Sequence, residues 1–288
     1  MELKRAAFYI MVIGAVIIFL VVSCSEPDDE APDHGVGNGY QEAPGEQGGD
    51  AHKPGRDDET GDRVVQWGYE GAGAPHFWGE LEAEYALCQT GRSQSPVDIS
   101  AVTVQPLAGI VVDYQPSPLT VVNNNHTLLV NYAPGSSITV AGKRYDLLEL
   151  YFRSPSEHTI GGKSYDLEVQ LVHKAADGQL GIVGVMFEAG PANKTVAKLW
   201  QYMPQRAGQT VEAGAVTVNA ADLLPPDMAY FNYSGSSTMP PCNEGVNWMV
   251  LATPMNVSRG QVAQFTALFP SNARPLQPLN ERAVLLSH

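Results

Sequence analysis

Residues 64–288 of this 288-residue chain predict a single, mostly β domain, and three observations lead there. Short alternating or wholly apolar runs recur between clusters of Gly, Pro, Asn and Ser, the pattern of strands separated by turns. Long amphipathic helical patterns do not occur. No segment repeats, and nothing within residues 64–288 marks a second domain.

The runs, in order, are Leu119–Val122, Thr127–Tyr132, Ser137–Val140, Tyr145–Phe152, Leu167–His173, Leu180–Phe187 and Trp248–Thr253. Each is expected to be a strand of one large antiparallel sheet. Two stretches read as helices: Ala192–Tyr202, entered from Gly190-Pro191, and Ser258–Phe269, with Ser258 as its N-cap.

Residues 1–23 read as an export signal. Lys4 and Arg5 precede an apolar run from Ala6 to Val22, and Val21-Val22-Ser23-Cys24 resembles a bacterial lipobox, in which the cysteine is lipidated. The alternative is an uncleaved anchor, since such a run sits at the short limit of a membrane span. Either way the rest of the chain is held outside the cytoplasm. Residues 24–63 then form a tether. Between Ser25 and Arg63 stand twelve Asp or Glu, three Lys or Arg, eight Gly and four Pro, too little apolar surface to offset chain entropy.

The formal net charge of −14 divides as +1 for residues 1–24, −9 for residues 25–63 and −6 for the remainder. Acidity therefore describes mostly the tether, and it argues against nucleic acid or a polyanionic glycan as partner. With Cys24 lipidated, Cys88 and Cys242 remain. In an oxidising compartment the pair reads as a disulfide, with two buried thiols as the alternative.

Motifs in order along the domain resemble the α-class carbonic anhydrases. They include Trp67-Gly68-Tyr69, Ser93-Gln94-Ser95-Pro96-Val97-Asp98-Ile99, Asn123-Asn124-Asn125-His126, Ser154 to His158, Tyr233 to Thr238, Val246-Asn247-Trp248 and Arg274 to Asn280. The resemblance covers nearly the whole domain. It implies a mainly β (α+β) fold: a twisted, mostly antiparallel sheet of roughly ten strands with a conical cavity and a few short surface helices. It also implies a Cys88–Cys242 bridge and, as in exported bacterial relatives, a homodimer.

The resemblance also places a zinc site where this sequence departs from the family. The positions that carry three zinc-ligating histidines in the family are here Tyr151, Arg153 and Gln170. Alternation puts Glu149, Tyr151 and Arg153 on one strand face, and Glu168, Gln170 and Val172 on a face of the next. A guanidinium has no lone pair to donate, and an amide oxygen suits zinc poorly. Of the seven histidines, none forms a His-x-His pair; His158 matches a structural position and His126 the family's proton shuttle. Glu157 and Thr238 match the pair that orients the metal-bound hydroxide, although a purely structural role serves Glu157 and Thr238 as well. Val172 and Ile182 match the apolar wall where carbon dioxide sits. A buried Arg153 demands counter-charge, expected from Glu149, Glu157 and Glu168.

The sequence thus leads to a non-catalytic, zinc-free relative, lipid-anchored through Cys24 at the bacterial envelope, on the outer-membrane or periplasmic side. It would serve there as a binding or structural module, with an unidentified protein or small-anion ligand. Two alternatives stand beside this: a remodelled carbonic anhydrase or esterase acting on carbon dioxide and bicarbonate, and a small-anion-binding lipoprotein centred on Arg153.

Overall fold

The computed structural model describes residues 65–287. The expected signal, Cys24 and the acidic tether lie outside the described residues. No helix among those described is long and apolar enough to cross a membrane.

The chain enters through two short helices, α1 (Trp78–Leu81) and α2 (Leu87–Thr90), with 3-10 turns around them. Fifteen strands follow: β1 (Asp98–Ile99), β2 (Val102–Val104), β3 (Val111–Asp113), β4 (Ser117–Asn123), β5 (Leu128–Asn131), β6 (Ser137–Val140), β7 (Lys143–Arg153), β8 (Thr159–Ile160), β9 (Leu167–Ala175), β10 (Leu180–Ala189), β11 (Thr210–Val218), β12 (Tyr230–Ser236), β13 (Glu244–Leu251), β14 (Met255–Val257) and β15 (Val284–Leu286). Helices α3 (Lys194–Gln201) and α4 (Arg259–Thr266) interrupt them.

Thirteen strands make one sheet, with a continuous path β11-β4-β5-β7-β9-β10-β13-β12-β15-β2 and β3, β6 and β14 attached beside it. The path holds the ten strands expected. The sheet is mixed, because β10 runs parallel to β13 and to β14, and β15 parallel to β2. β1 and β8 form a small parallel pair of their own.

Every run read as a strand is one, with ends shifted by a few residues. β13 begins at Glu244, well before Trp248, and closes at Leu251. β11 and β12 are absent from the sequence reading for a physical reason. β11 is a sheet edge whose residues are mostly exposed, and β12 mixes Asn232, Ser234 and Gly235 into its apolar side chains. Helix α3 starts at Lys194, later than expected, since the Asn193 side chain accepts from the backbone N–H groups of Thr195 and Val196. Ser258 caps α4 as its sequence predicts, in a reciprocal box with Gln261.

The sheet buries both faces. One packs Phe152, Leu150, Val169 and Val185 against Trp200 of α3 and Phe265 of α4. The other sets Val172, Ile182, Met186, Tyr233 and Trp248 against Val97 and Ile99 from the chain start, with Tyr151 partly buried against them. Alternation along β7 therefore sends Leu150 and Phe152 to the first core, and Tyr151 and Arg153 to the face that holds the site. Cys88 and Cys242 are bridged, Cα atoms 5.0 Å apart, pinning α2 to the turn after β12.

Candidate active site

Three adjacent strands, β7, β9 and β10, hold the site in register. Tyr151 stands opposite Gln170, Arg153 opposite Glu168, and Gly184 on the far side of Gln170. A bulge between Leu147 and Glu149 resets the pleat of β7 so that Glu149, Tyr151 and Arg153 share the inner face.

Each side chain at the three positions has an acceptor. The Tyr151 hydroxyl donates to Glu149 Oε1. Gln170 Nε2 donates to Glu157 Oε2 at 2.7 Å and to Glu168 Oε1 at 3.1 Å. Arg153 is fully enclosed; its Nη1 donates to the Tyr69 hydroxyl at 3.0 Å and to the Asn272 carbonyl at 3.4 Å. Its Nε lies 3.4 Å from Glu157 Oε2 as an ion pair, and neither Nε nor Nη2 has a hydrogen-bond partner.

The counter-charge of Arg153 thus comes from Glu157, not from Glu149. Residues four apart on a strand lie about 13 Å apart, beyond side-chain reach, whereas Tyr151 is one pleat repeat from Glu149. Burial works to lower the Arg153 pKa, but Tyr69, Glu157, Tyr151 and Glu168 outweigh it and hold the guanidinium above its ordinary value. Burial likewise keeps the Tyr151 phenol protonated well past its usual range, with Glu149 adding to the effect.

Behind these stands a polar buttress. Glu168 accepts from the backbone N–H groups of Glu157 at 2.9 Å and His158 at 3.0 Å, and its Oε1 is 2.9 Å from His158 Nδ1. His158 Nε2 in turn lies 2.6 Å from the Tyr233 hydroxyl, which meets Ser95 Oγ at 2.8 Å. Burial would raise the Glu168 pKa, yet His158 and the donated hydrogen bonds hold it below the ordinary carboxylate value. Glu157 Oε1 accepts from the Arg274 backbone N–H at 2.9 Å. The Arg274 side chain is spent on Gln94, Ser95 and Cys88, and burial brings its pKa down to about 10.

In front of the buttress opens a cavity of about 110 Å³, lined by Glu149, Tyr151, Gln170, Val172, Leu180, Ile182, Ser237, Thr238 and Met239. The sequence-derived wall of Val172 and Ile182 is there, extended by Leu180. Thr238 joins the cavity while Glu157 lies behind Gln170. Arg153 is not on the wall. His126 faces elsewhere: its ring stacks on Trp67, centroids 3.6 Å apart, beside a separate hollow of about 180 Å³. Burial, then the Arg153 charge, lowers the His126 pKa. His173 lies on the opposite face of β9, 2.7 Å from the Tyr114 hydroxyl. Tyr69 and Asn272, which hold Arg153, escaped the sequence reading, although the Trp67-Gly68-Tyr69 motif had signalled that this segment packs near the site.

A small cavity at the heart of a twisted mixed sheet, backed by a carboxylate–histidine buttress, defines a carbonic-anhydrase-like protein. A family model for eukaryotic-type carbonic anhydrase matches residues 73–288. A carbonic anhydrase of Nostoc is 42% identical over 228 residues, 77% of this chain and 86% of that protein. One from Klebsiella pneumoniae is 43% identical over 223 residues, 76% of this chain and 90% of that protein. The structure of a hyperthermostable carbonic anhydrase from a hydrothermal vent chimney superposes with a TM-score of 0.75 at 43% identity, covering 77% of this chain and all of the other. This chain belongs to the eukaryotic-type carbonic anhydrase family.

Two expectations give way to that finding. A non-enzyme is not what the relatives indicate, because proteins 42 and 43% identical over most of the chain are named carbonic anhydrases. Nor does the expectation of no cofactor stand, since the family is one of zinc-dependent enzymes. The donor set at the three positions is a separate observation, and it does not fit the metal. Arg153 offers a buried cation, Gln170 turns its amide nitrogen to two carboxylates, and the Tyr151 phenol is a donor to Glu149. Among the described residues no group of three or more His, Cys, Asp or Glu could hold a metal ion.

Proposed function

We propose that this protein acts on carbon dioxide and bicarbonate, or on small esters, as a carbonic anhydrase with a remodelled centre. The carrying observation is the cavity itself. An apolar wall of Val172, Leu180 and Ile182 faces the hydroxyls of Ser237 and Thr238 and the carboxylate of Glu149, in a chain whose relatives are named for this reaction. Carbon dioxide is apolar and lodges against the wall; a water held by the hydroxyls attacks its carbon. One O–C bond forms, a C=O electron pair moves onto oxygen, and the proton leaves the water for Glu149 and then solvent, giving bicarbonate. Positioning and a general base supply the acceleration in this reading. A bacterial envelope location, with Cys24 lipidated and the domain paired with a second copy, belongs to the same proposal.

Stopped-flow hydration of carbon dioxide by the purified protein, with added zinc and again after chelation, tests the reading. Rates above the buffer blank support it, and ester hydrolysis is assayed in parallel. No acceleration in either reaction under either condition would sink it.

A further inference from the structure

We infer that Glu149 makes the cavity disfavour negative charge, so that it holds small uncharged molecules more tightly than small anions of similar size. The inference rests on the cavity being the reaction site, and it concerns the charge that the cavity accepts.

Glu149 is the one charged side chain among the residues lining the cavity. It is half-buried, and the Tyr151 hydroxyl fixes its Oε1 in place. The buried cation, Arg153, cannot answer it. That guanidinium is enclosed behind the Tyr151 ring, 5.7 Å from its centroid, and is committed to Tyr69, Asn272 and Glu157. Glu168 stands directly opposite Arg153 on the neighbouring strand. Behind the wall Arg153 and Arg274 offset Glu157 and Glu168, and the cation at the rim, Lys174 opposite Leu180, is exposed and screened by solvent. The apolar walls weaken screening, so a second negative charge in this space meets real repulsion. Burial also closes the small-anion site expected at Arg153. For the reaction the consequence is directional: the neutral substrate enters freely, and once Glu149 has passed its proton to solvent the anionic product stands beside a like charge that favours its exit.

The test uses the full chain and two linear probes of similar size, the thiocyanate anion and neutral acetonitrile. Each is titrated at constant ionic strength while the amide shifts of residues 170–172, 180–182 and 237–239 are followed by NMR. In Glu149→Gln the side chain can still accept the Tyr151 hydrogen bond, so the cavity shape is kept. Thiocyanate should bind this variant about tenfold more tightly than the parent, with acetonitrile unchanged, as expected for two like charges a few ångströms apart at a partly buried site. Equal thiocyanate affinity in parent and variant overturns the inference. Should the variant fail to fold, the parent alone decides: thiocyanate binding as tightly as acetonitrile in this cavity overturns it too. The hydration rate is read separately, so a parent that discriminates without hydrating overturns the reaction and not the selectivity.

Discussion

Arg153 is a cation with no exposed surface, held by one ion pair and two hydrogen bonds. Removing one member of a buried pair leaves the other charge uncompensated, which typically costs about 3–5 kcal/mol. Arg153→Met should therefore lower the unfolding free energy by about 3 kcal/mol or more in urea melts. Combining it with Glu157→Gln should recover part of the loss, because the stranded carboxylate goes as well. A double variant no better than the single would show that packing, not charge, makes Arg153 necessary. The three exchanged positions were legible from the family resemblance, and strand alternation put Tyr151 and Arg153 on one face. Their partners were not. Glu149 looks close to Arg153 in sequence, yet the rise of a strand keeps them apart, and Tyr69 reaches Arg153 from a segment 84 positions away.

At the scale of the element, β7 and β9 hold the three positions in fixed register, and acceptors already surround them. Glu149 takes the Tyr151 hydroxyl, the Asn272 carbonyl takes Arg153, and Glu168 takes Gln170. Carboxylates and backbone carbonyls of this kind orient metal-bound histidines by holding the second ring nitrogen. Tyr151→His, Arg153→His and Gln170→His together should raise the zinc content by about one equivalent over the parent, measured after desalting. Gln170→His alone should leave it unchanged. A folded triple variant with no gain would show that the strands no longer set the ligand spacing. Element identity was readable wherever burial wrote a pattern, as in β9 and β10. It was not readable in β11, whose side chains mostly face solvent, and the start of α3 depended on a cap that competes with its Gly-Pro entry.

Across the whole molecule, buried titratable groups make the domain acid-sensitive in one direction. Burial depresses the pKa of His173 from its ordinary 6.5 to about 4, outweighing its hydrogen bonds to the Gly181 and Leu171 backbone. The unfolded chain then binds a proton that the folded one refuses. This stability is complete above pH 6.5 and is lost as pH falls towards 4, by about 3 kcal/mol at most. Carboxylates held low, Glu168 among them, act with the same sign at lower pH. Urea melts from pH 7 to 4 should show stability falling throughout, and His173→Gln should flatten the upper part of that slope whatever it does to the absolute value. A slope unchanged in the variant would assign the acid response elsewhere. The fold as a whole was legible because the family motifs span it; alternation separates His173 from the face of Gln170, but its pairing with Tyr114 could not be read from the chain.

The two ends of the sheet path carry one more consequence. One edge, β2, is three residues long, and the other, β11, is interrupted by the irregularity between Ala213 and Thr217 and bears Glu212. Long flat edges recruit neighbouring chains strand by strand, and short, bulged or charged ones do not. A thirteen-stranded sheet would otherwise present a strong template for fibrillar pairing. Its shape lets many copies crowd together at high local concentration without zipping into aggregates.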